Sequence, residues 1–169
     1  MIYILPIGEI DLNYVERAKV FVEEVYEEKV DLIEGISFPE DCLNKNRNQY
    51  DAICILEKIP YFKDGIVIGI CDKDIYVPYL NFVFGVAEKI NGKKGIVSIK
   101  RLRESFYGKR ENEEILILRI AKEIIHEVGH LKGFNHCKNK RCVMAFSNSI
   151  YDTDFKDYKF CDECKRRLR

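Results

Sequence analysis

All three histidines of the chain, His126, His130 and His136, fall within eleven consecutive residues. Four of its seven cysteines, Cys137, Cys142, Cys161 and Cys164, follow directly. The string His126-Glu127-Val128-Gly129-His130 is H-E-x-x-H. On a helix, residues four apart share a face, so both imidazoles can reach one metal ion. Glu127 is rotated about 100° from His126. It can approach the open side of that metal without ligating it. Zinc in a catalytic site takes three protein ligands and keeps a fourth position for water. His136 is the expected third ligand, because Gly133 lets the chain turn back. A helix continued through Gly133 would carry His136 about 9 Å further along the axis, at about 1.5 Å per residue. Glu127 is then the expected general base for attack of water on a carbonyl.

Cys137-x4-Cys142 and Cys161-x2-Cys164 have the paired spacing of a four-cysteine zinc site. Four thiolates fill a tetrahedral ion, so this metal would be structural. It would also fix Cys137, the neighbour of His136, and Cys142, two residues before Met144. An odd cysteine count rules out a complete disulfide framework, and a reducing compartment favours ligation. Two disulfides or free thiols are the alternative states of this cluster. Cys71, at the end of a β-rich run, reads as a buried apolar residue, while Cys42 and Cys54 stay undecided. Asp72-Lys73-Asp74 has too few carboxylates for a calcium loop. Tail residues Lys165 to Arg169 read as a frayed, hydrated end.

The elements that must position these residues can be read from periodicity. Glu113 to Lys132 is the clearest helix. Ile117, Ile120, Ala121, Ile124, Val128 and Leu131 recur at spacings of three and four, and Gly133 supplies the stop. Ile2 to Leu5 reads as a strand. A helix capped by Asp11 or Asn13 follows to about Glu27, with Val15, Ala18, Val22 and Val25 inward. Val30 to Ile33 reads as a strand and Phe38 to Asp41 as a loop. Asn44 to Ile59 has a helical pattern, with Ala52, Ile53, Leu56 and Ile59 inward. Gly65 to Cys71, Asn81 to Ala87 and Gly95 to Leu102 are β-rich, and Glu104 to Asn112 reads as a loop. The alternation predicts a mixed α/β sheet with packed helices. The expected organisation is a single domain over 1–169, with an N-terminal subdomain to 133 and a small C-terminal one from 134.

Composition bounds the partners. The 28 basic and 28 acidic residues cancel, which disfavours a nucleic-acid partner. No apolar run reaches the roughly 18 residues of a membrane span. The start does not read as a signal peptide, so a cytoplasmic location is expected.

The residues after His136 carry a family resemblance. H-E-x-x-H-x-x-G-x-x-H followed by Cys142-Val143-Met144 resembles the metzincin zinc peptidases. The two cysteine pairs narrow this to the archaemetzincin family. Cys142-Val143-Met144-Ala145-Phe146-Ser147-Asn148-Ser149, Phe84-Gly85-Val86-Ala87 and Ser98-Ile99-Lys100-Arg101-Leu102 support it. The likeness is close over the second half of the chain and loose over the first. It implies a metzincin-like twisted sheet, an active-site helix and a zinc-stapled C-terminal subdomain. It also implies two zinc ions per chain, one catalytic and one structural. Met144 would be the methionine that floors the ligand imidazoles. The implied activity is a zinc metallopeptidase, aminopeptidase-like or acting on short peptides. A tyrosine found two residues after the methionine in some metzincins is Phe146 here, so Tyr151 is a candidate oxyanion donor. The run Asn81-Phe82-Val83-Phe84-Gly85 is the expected substrate-binding edge, where an extended peptide would add as a strand. The alternative functions are a metzincin-fold binding module without turnover and a zinc-ribbon interaction or RNA-binding module with structural histidines.

Overall fold

Apolar, β-branched runs of five or six residues are too short for buried helices, and they pair as strands. The computed structural model describes residues 1–168. In chain order the strands and helices are β1 (Ile2–Pro6), α1 (Leu12–Tyr26), β2 (Val30–Leu32), β3 (Leu43–Asn44), β4 (Gln49–Asp51) and α2 (Ala52–Lys58). They continue with β5 (Ile66–Cys71), β6 (Ile75–Tyr76), β7 (Gly85–Ala87), β8 (Lys94–Ser98), α3 (Glu113–Leu131), α4 (Ile150–Phe155) and α5 (Asp162–Arg167). The main sheet has five strands in the order β2-β1-β5-β8-β7. The first four run parallel, and β7 closes the edge antiparallel to β8. Every residue of β5 and β8 is buried, as expected for parallel strands covered on both faces.

One face of the sheet carries α1 and α3. Val15, Ala18 and Val22 of α1 meet Ile117, Ile120, Ala121 and Ile124 of α3 over Ile2, Ile4, Ile68 and Ile70. The other face carries α2, with Ala52, Ile55, Leu56 and Ile59 on Leu5, Val67 and Ile96. Val143, Met144, Ile150, Phe160 and Cys164 join the α1–α3 core. The C-terminal segment therefore buries apolar surface as well as carrying candidate ligand residues. No helix among the described residues is long and apolar enough to cross a membrane.

Several elements differ from their sequence patterns. The helix expected over 44–59 forms only at Ala52–Lys58, because Asp51 caps it by accepting from the amides of Ile53 and Cys54. Residues before the cap pair in a small sheet, β3-β4-β6, with Asn48 at a left-handed φ of 53° in the turn. Ile53 is consequently 42% exposed, and Ile55 is buried instead. The run from Asn81 is strand only at its end. Arg47 and Gln49 bond the carbonyl oxygen of Asn81 at 3.2 and 2.8 Å, which takes that backbone out of sheet pairing. The last β-rich run leaves the strand after Ser98 and tightens into a 3-10 turn at Lys100–Leu102. Single 3-10 turns also occupy Glu40–Cys42 and Glu104–Tyr107, which had read as loops.

The tail is helical through Arg167, and Arg169 lies outside the described residues. Cys42 and Cys54 form a disulfide between the Glu40–Cys42 turn and α2. Cys71 is fully buried. Asp72 and Asp74 pair with Arg103 and Arg101, each at 2.7 Å, so their charges are already met.

Candidate active site

Helix α3 presents the histidines and is held at both ends. Asn112 caps its start by accepting from the Ile115 amide at 3.1 Å. Its end is a Schellman turn, in which the Phe134 amide bonds the Gly129 carbonyl at 2.9 Å and the Gly133 amide bonds that of His130 at 3.0 Å. Gly133 sits at φ +102°, where a Cβ would also lie 2.8 Å from Asn91 Oδ1. The reversal brings His136 back, and the three imidazoles form a near-equilateral group with centroids 4.7, 4.9 and 5.3 Å apart.

One ligand-capable nitrogen from each ring lies within 4.8 Å of the others. Tetrahedral zinc, with Zn–N of about 2.0–2.1 Å, asks for nitrogens about 3.4 Å apart. The set fits an ion with small adjustments. Nδ1 of His126 lies 2.8 Å from the Val143 carbonyl oxygen, and Nδ1 of His130 lies 2.8 Å from that of Phe134. Each carbonyl accepts an Nδ1 proton and leaves Nε2 bare, the form a metal needs. Burial lowers the His126 pKa well below its usual value, and it lowers those of His130 and His136 as well.

Glu127 is buried, with 3% exposure, beneath β7. A Cβ at Gly85 would lie 3.0 Å from Glu127 Oε2 and 2.7 Å from the Ile96 carbonyl oxygen. A glycine is therefore what lets the strand pass over the carboxylate. Burial, and next the nearby Glu123 charge, raise the Glu127 pKa well above the usual carboxylate range, while Lys156 opposes them. A carboxylate shifted in this direction is suited to exchanging a proton. Met144 is fully buried, with its sulfur against Gly129 where a Cβ would stand. The second variable position of H-E-x-x-H is thus a glycine because the methionine packs there.

The four cysteine sulfurs also lie within 4.8 Å of one another. Tetrahedral zinc with Zn–S of about 2.3 Å puts sulfurs about 3.8 Å apart. Cys137 Sγ and Cys161 Sγ are 3.9 Å apart. The amides of Met144 and Cys161 each point at Cys142 Sγ at 3.4 Å, an arrangement that stabilises a thiolate. The Cys137 amide bonds the Met144 carbonyl at 2.9 Å, joining this cluster to the methionine under the histidines.

Between β7 and α3 lies a cavity of about 430 Å³, lined by all three histidines and Glu127. Asn81, Phe82, Val83, Phe84 and Gly85 line it too, so the expected substrate run forms one wall. Only Gly85 of that run belongs to β7, and the Val83 amide is taken by the Ile75 carbonyl at 3.0 Å. Tyr151 is 75% exposed and is absent from the lining, which removes it as the oxyanion donor. Sequence reasoning missed Glu123, Ser147 and Lys156, which line the cavity beside the histidines. Glu123, one turn before Glu127, was readable from helical spacing. Lys156 and Ser147 carry no local signal, since chain reversals bring them in.

The model of "Peptidase family M54" matches residues 7–169. An archaemetzincin of Methanocaldococcus jannaschii is 42% identical over 168 residues, spanning 99% of this chain and 92% of that protein. One from Archaeoglobus fulgidus is 36% identical, spanning 99% and 98%. A crystal structure of the Archaeoglobus fulgidus archaemetzincin complexed with malonate superposes with a TM-score of 0.87 at 33% identity, covering 99% of this chain and all of that one. A zinc-dependent peptidase from Methanocorpusculum labreanum gives 0.90 at 30% identity, with full coverage of both chains. The chain belongs to peptidase family M54, the archaemetzincins, and is a zinc-dependent metallopeptidase of the metzincin type.

Proposed function

We propose that this chain hydrolyses short peptides, aminopeptidase-like, with His126, His130 and His136 holding a catalytic zinc and Glu127 as the base. The observation that carries the reading is the convergence of three metal-ready imidazoles and one buried, raised-pKa carboxylate on a single cavity. Zinc bound there would acidify a water and polarise the scissile carbonyl. Glu127 takes the proton from the attacking water and passes it to the leaving amine. The peptide lies along β7 as an added strand. Bonds from Ser98 to Phe84 and from Glu88 to Lys94 turn residues 84, 86 and 88 toward β8. The amides of Gly85 and Ala87 therefore face outward, free to bond a substrate backbone. Cys137, Cys142, Cys161 and Cys164 hold a second, structural zinc, which gives two ions per chain.

Peptides or proteins are the partners in this reading, in a cytoplasmic setting without nucleic acid or membrane. The Cys42–Cys54 bridge accords with that setting if the source is a hyperthermophile, whose intracellular proteins are disulfide-rich. The test is a panel of short peptides, free or blocked at the N-terminus, with and without chelator. Chelator-sensitive cleavage restricted to free N-termini is the expected result. Cleavage that is indifferent to chelator, or none by zinc-loaded protein, would refute the reading.

A further inference from the structure

The cavity holds a buried cation that the proposed chemistry does not use. Lys156 is only 2% exposed. Its Nζ donates to the Ala145 carbonyl oxygen at 3.1 Å and lies 3.8 Å from Glu123 Oε1. An ammonium has three donors. The Glu123 distance is that of an ion pair and is too long for a hydrogen bond. Lys156 thus has one hydrogen-bond acceptor among the described residues. Burying a charge with donors unmet is costly, and an aliphatic side chain would fill the space without that cost. Ser147, which also lines the cavity, carries a second unmet group. The Ser147 hydroxyl oxygen is buried and has no hydrogen-bond partner.

Both groups can donate, so the partner they lack is an acceptor, and beside an ammonium an anionic one is favoured. Glu123 is already engaged, accepting from the Thr153 hydroxyl at 3.2 Å. Zinc at the neutral imidazoles would add two positive charges to that of Lys156, against the carboxylates of Glu123 and Glu127. The filled cavity is then net positive, and Lys89 at its lining adds to the sign.

We propose that Lys156 and Ser147 form a carboxylate-binding subsite beside the histidines, so that the peptidase selects substrates carrying a carboxylate next to the scissile bond. This rests on the peptidase reading above. The carboxylate comes from an acidic side chain or from the C-terminus of a dipeptide. The chemistry is the same, and the two sources separate by experiment.

The test measures binding by calorimetry to zinc-loaded Glu127→Gln protein, which needs no turnover. The probes are Ala-Glu-amide against Ala-Gln-amide, and Ala-Ala against Ala-Ala-amide. At least one acid should bind about tenfold or more tighter than its neutral partner, the range of a charge-assisted hydrogen bond. The pair that shows the gap identifies the source. Lys156→Met should erase the gap, and Ser147→Ala should narrow it several-fold. If Lys156→Met fails to fold, the double variant Glu123→Gln/Lys156→Met removes both buried charges and should show no gap. Equal binding within both pairs, undetectable binding of all four peptides, or a gap that survives without Lys156 would overturn the subsite. Turnover by the unsubstituted enzyme is scored separately. An acid preference without hydrolysis would refute the peptidase reading and leave the subsite standing.

Discussion

Glu127 lies under a strand that has no side chain at the point of contact, and both facts bear on the role of base proposed for it. Its burial, reinforced by Glu123, raises its pKa, which suits a group that must take and return a proton. Glu127→Gln keeps the shape and removes the proposed base. Hydrolysis should fall by about 10² to 10⁴, the usual contribution of a general base, with metal content unchanged. Peptide turnover together with elemental analysis decides it, and retained turnover in metal-loaded protein would move the base elsewhere. Gly85→Ala tests the contact from the other side. The new methyl would meet Ile96 backbone at 2.7 Å and the Glu127 carboxylate at 3.0 Å. Backbone cannot give way cheaply, so the strand or the carboxylate must shift. Overpacking of this kind costs about 1–3 kcal/mol of stability. The turnover number should fall more than that loss explains at temperatures well below the melt. Unchanged kinetics would show that Glu127 has slack.

At the scale of elements, the cleft is made by an edge strand and a helix that stops in the right place. The outer edge of the 81–87 run is closed at Val83 by the Ile75 bridge and opens from Gly85 to Ala87. A proline probe therefore belongs at Ala87, since Val83 is already bonded within the protein. Ala87→Pro removes one outward amide and leaves the bonds to β8. Losing one backbone hydrogen bond of about 0.5–1.5 kcal/mol should raise KM for extended peptides roughly 2- to 10-fold. Zinc content and melting temperature should stay near the parent values. An unaltered KM would mean that peptides do not add to this edge. On the opposite wall, α3 is tied to α4 by a buried arginine. Arg119 grips both oxygens of Asp154 at 2.8 and 2.7 Å and meets Glu104 at 2.8 Å. Lys122 adds a bond to the Thr153 carbonyl at 2.9 Å. These contacts hold in place the segment that carries Ser147 and Lys156.

At the scale of the whole molecule, two clusters that could hold metal share one short stretch of chain. His136 and Cys137 are adjacent, and Met144 bridges the cysteine cluster to the floor of the histidines. Protein purified without chelator should carry about two zinc equivalents, one for each ligand set. A value near one, with the four cysteines oxidised in pairs, would refute the structural ion. The two sites should differ in what they support. Cys161→Ser removes a proposed ligand of the structural ion, whose binding energy is folding energy, so the melt should drop by about 10 °C or more. His136→Ala should release the catalytic ion and move the melt by about 2–4 °C at most, as roughly 1 kcal/mol does at this size. Thermal melts with metal analysis separate these outcomes, and the opposite ranking would exchange the roles of the two sites.

The grouping of His126, Glu127, His130 and His136 was legible in the sequence because local geometry nearly suffices for it. Helical spacing sets His126, Glu127 and His130, and a glycine stop returns His136. The long helices and the parallel strands were legible for the same reason, since an apolar period of three to four, or a short β-branched run, is written in neighbouring residues. Where the pattern misled, a contact distant in sequence decided the outcome. Pairing of Gln49–Asp51 with β6 overrode the helical period before Ala52. Side chains of Arg47 and Gln49 took Asn81 backbone away from the sheet. The cavity's chemistry beyond the histidines and Glu127 belongs to the same class. Glu123 sits on the readable helix, but Lys156 and Ser147 reach it only after the chain has turned at Gly133 and again around Met144. The two partners of Lys156, Ala145 and Glu123, lie roughly ten and thirty residues away in sequence. No local period records such an approach, because it is set by how the C-terminal segment packs on α3.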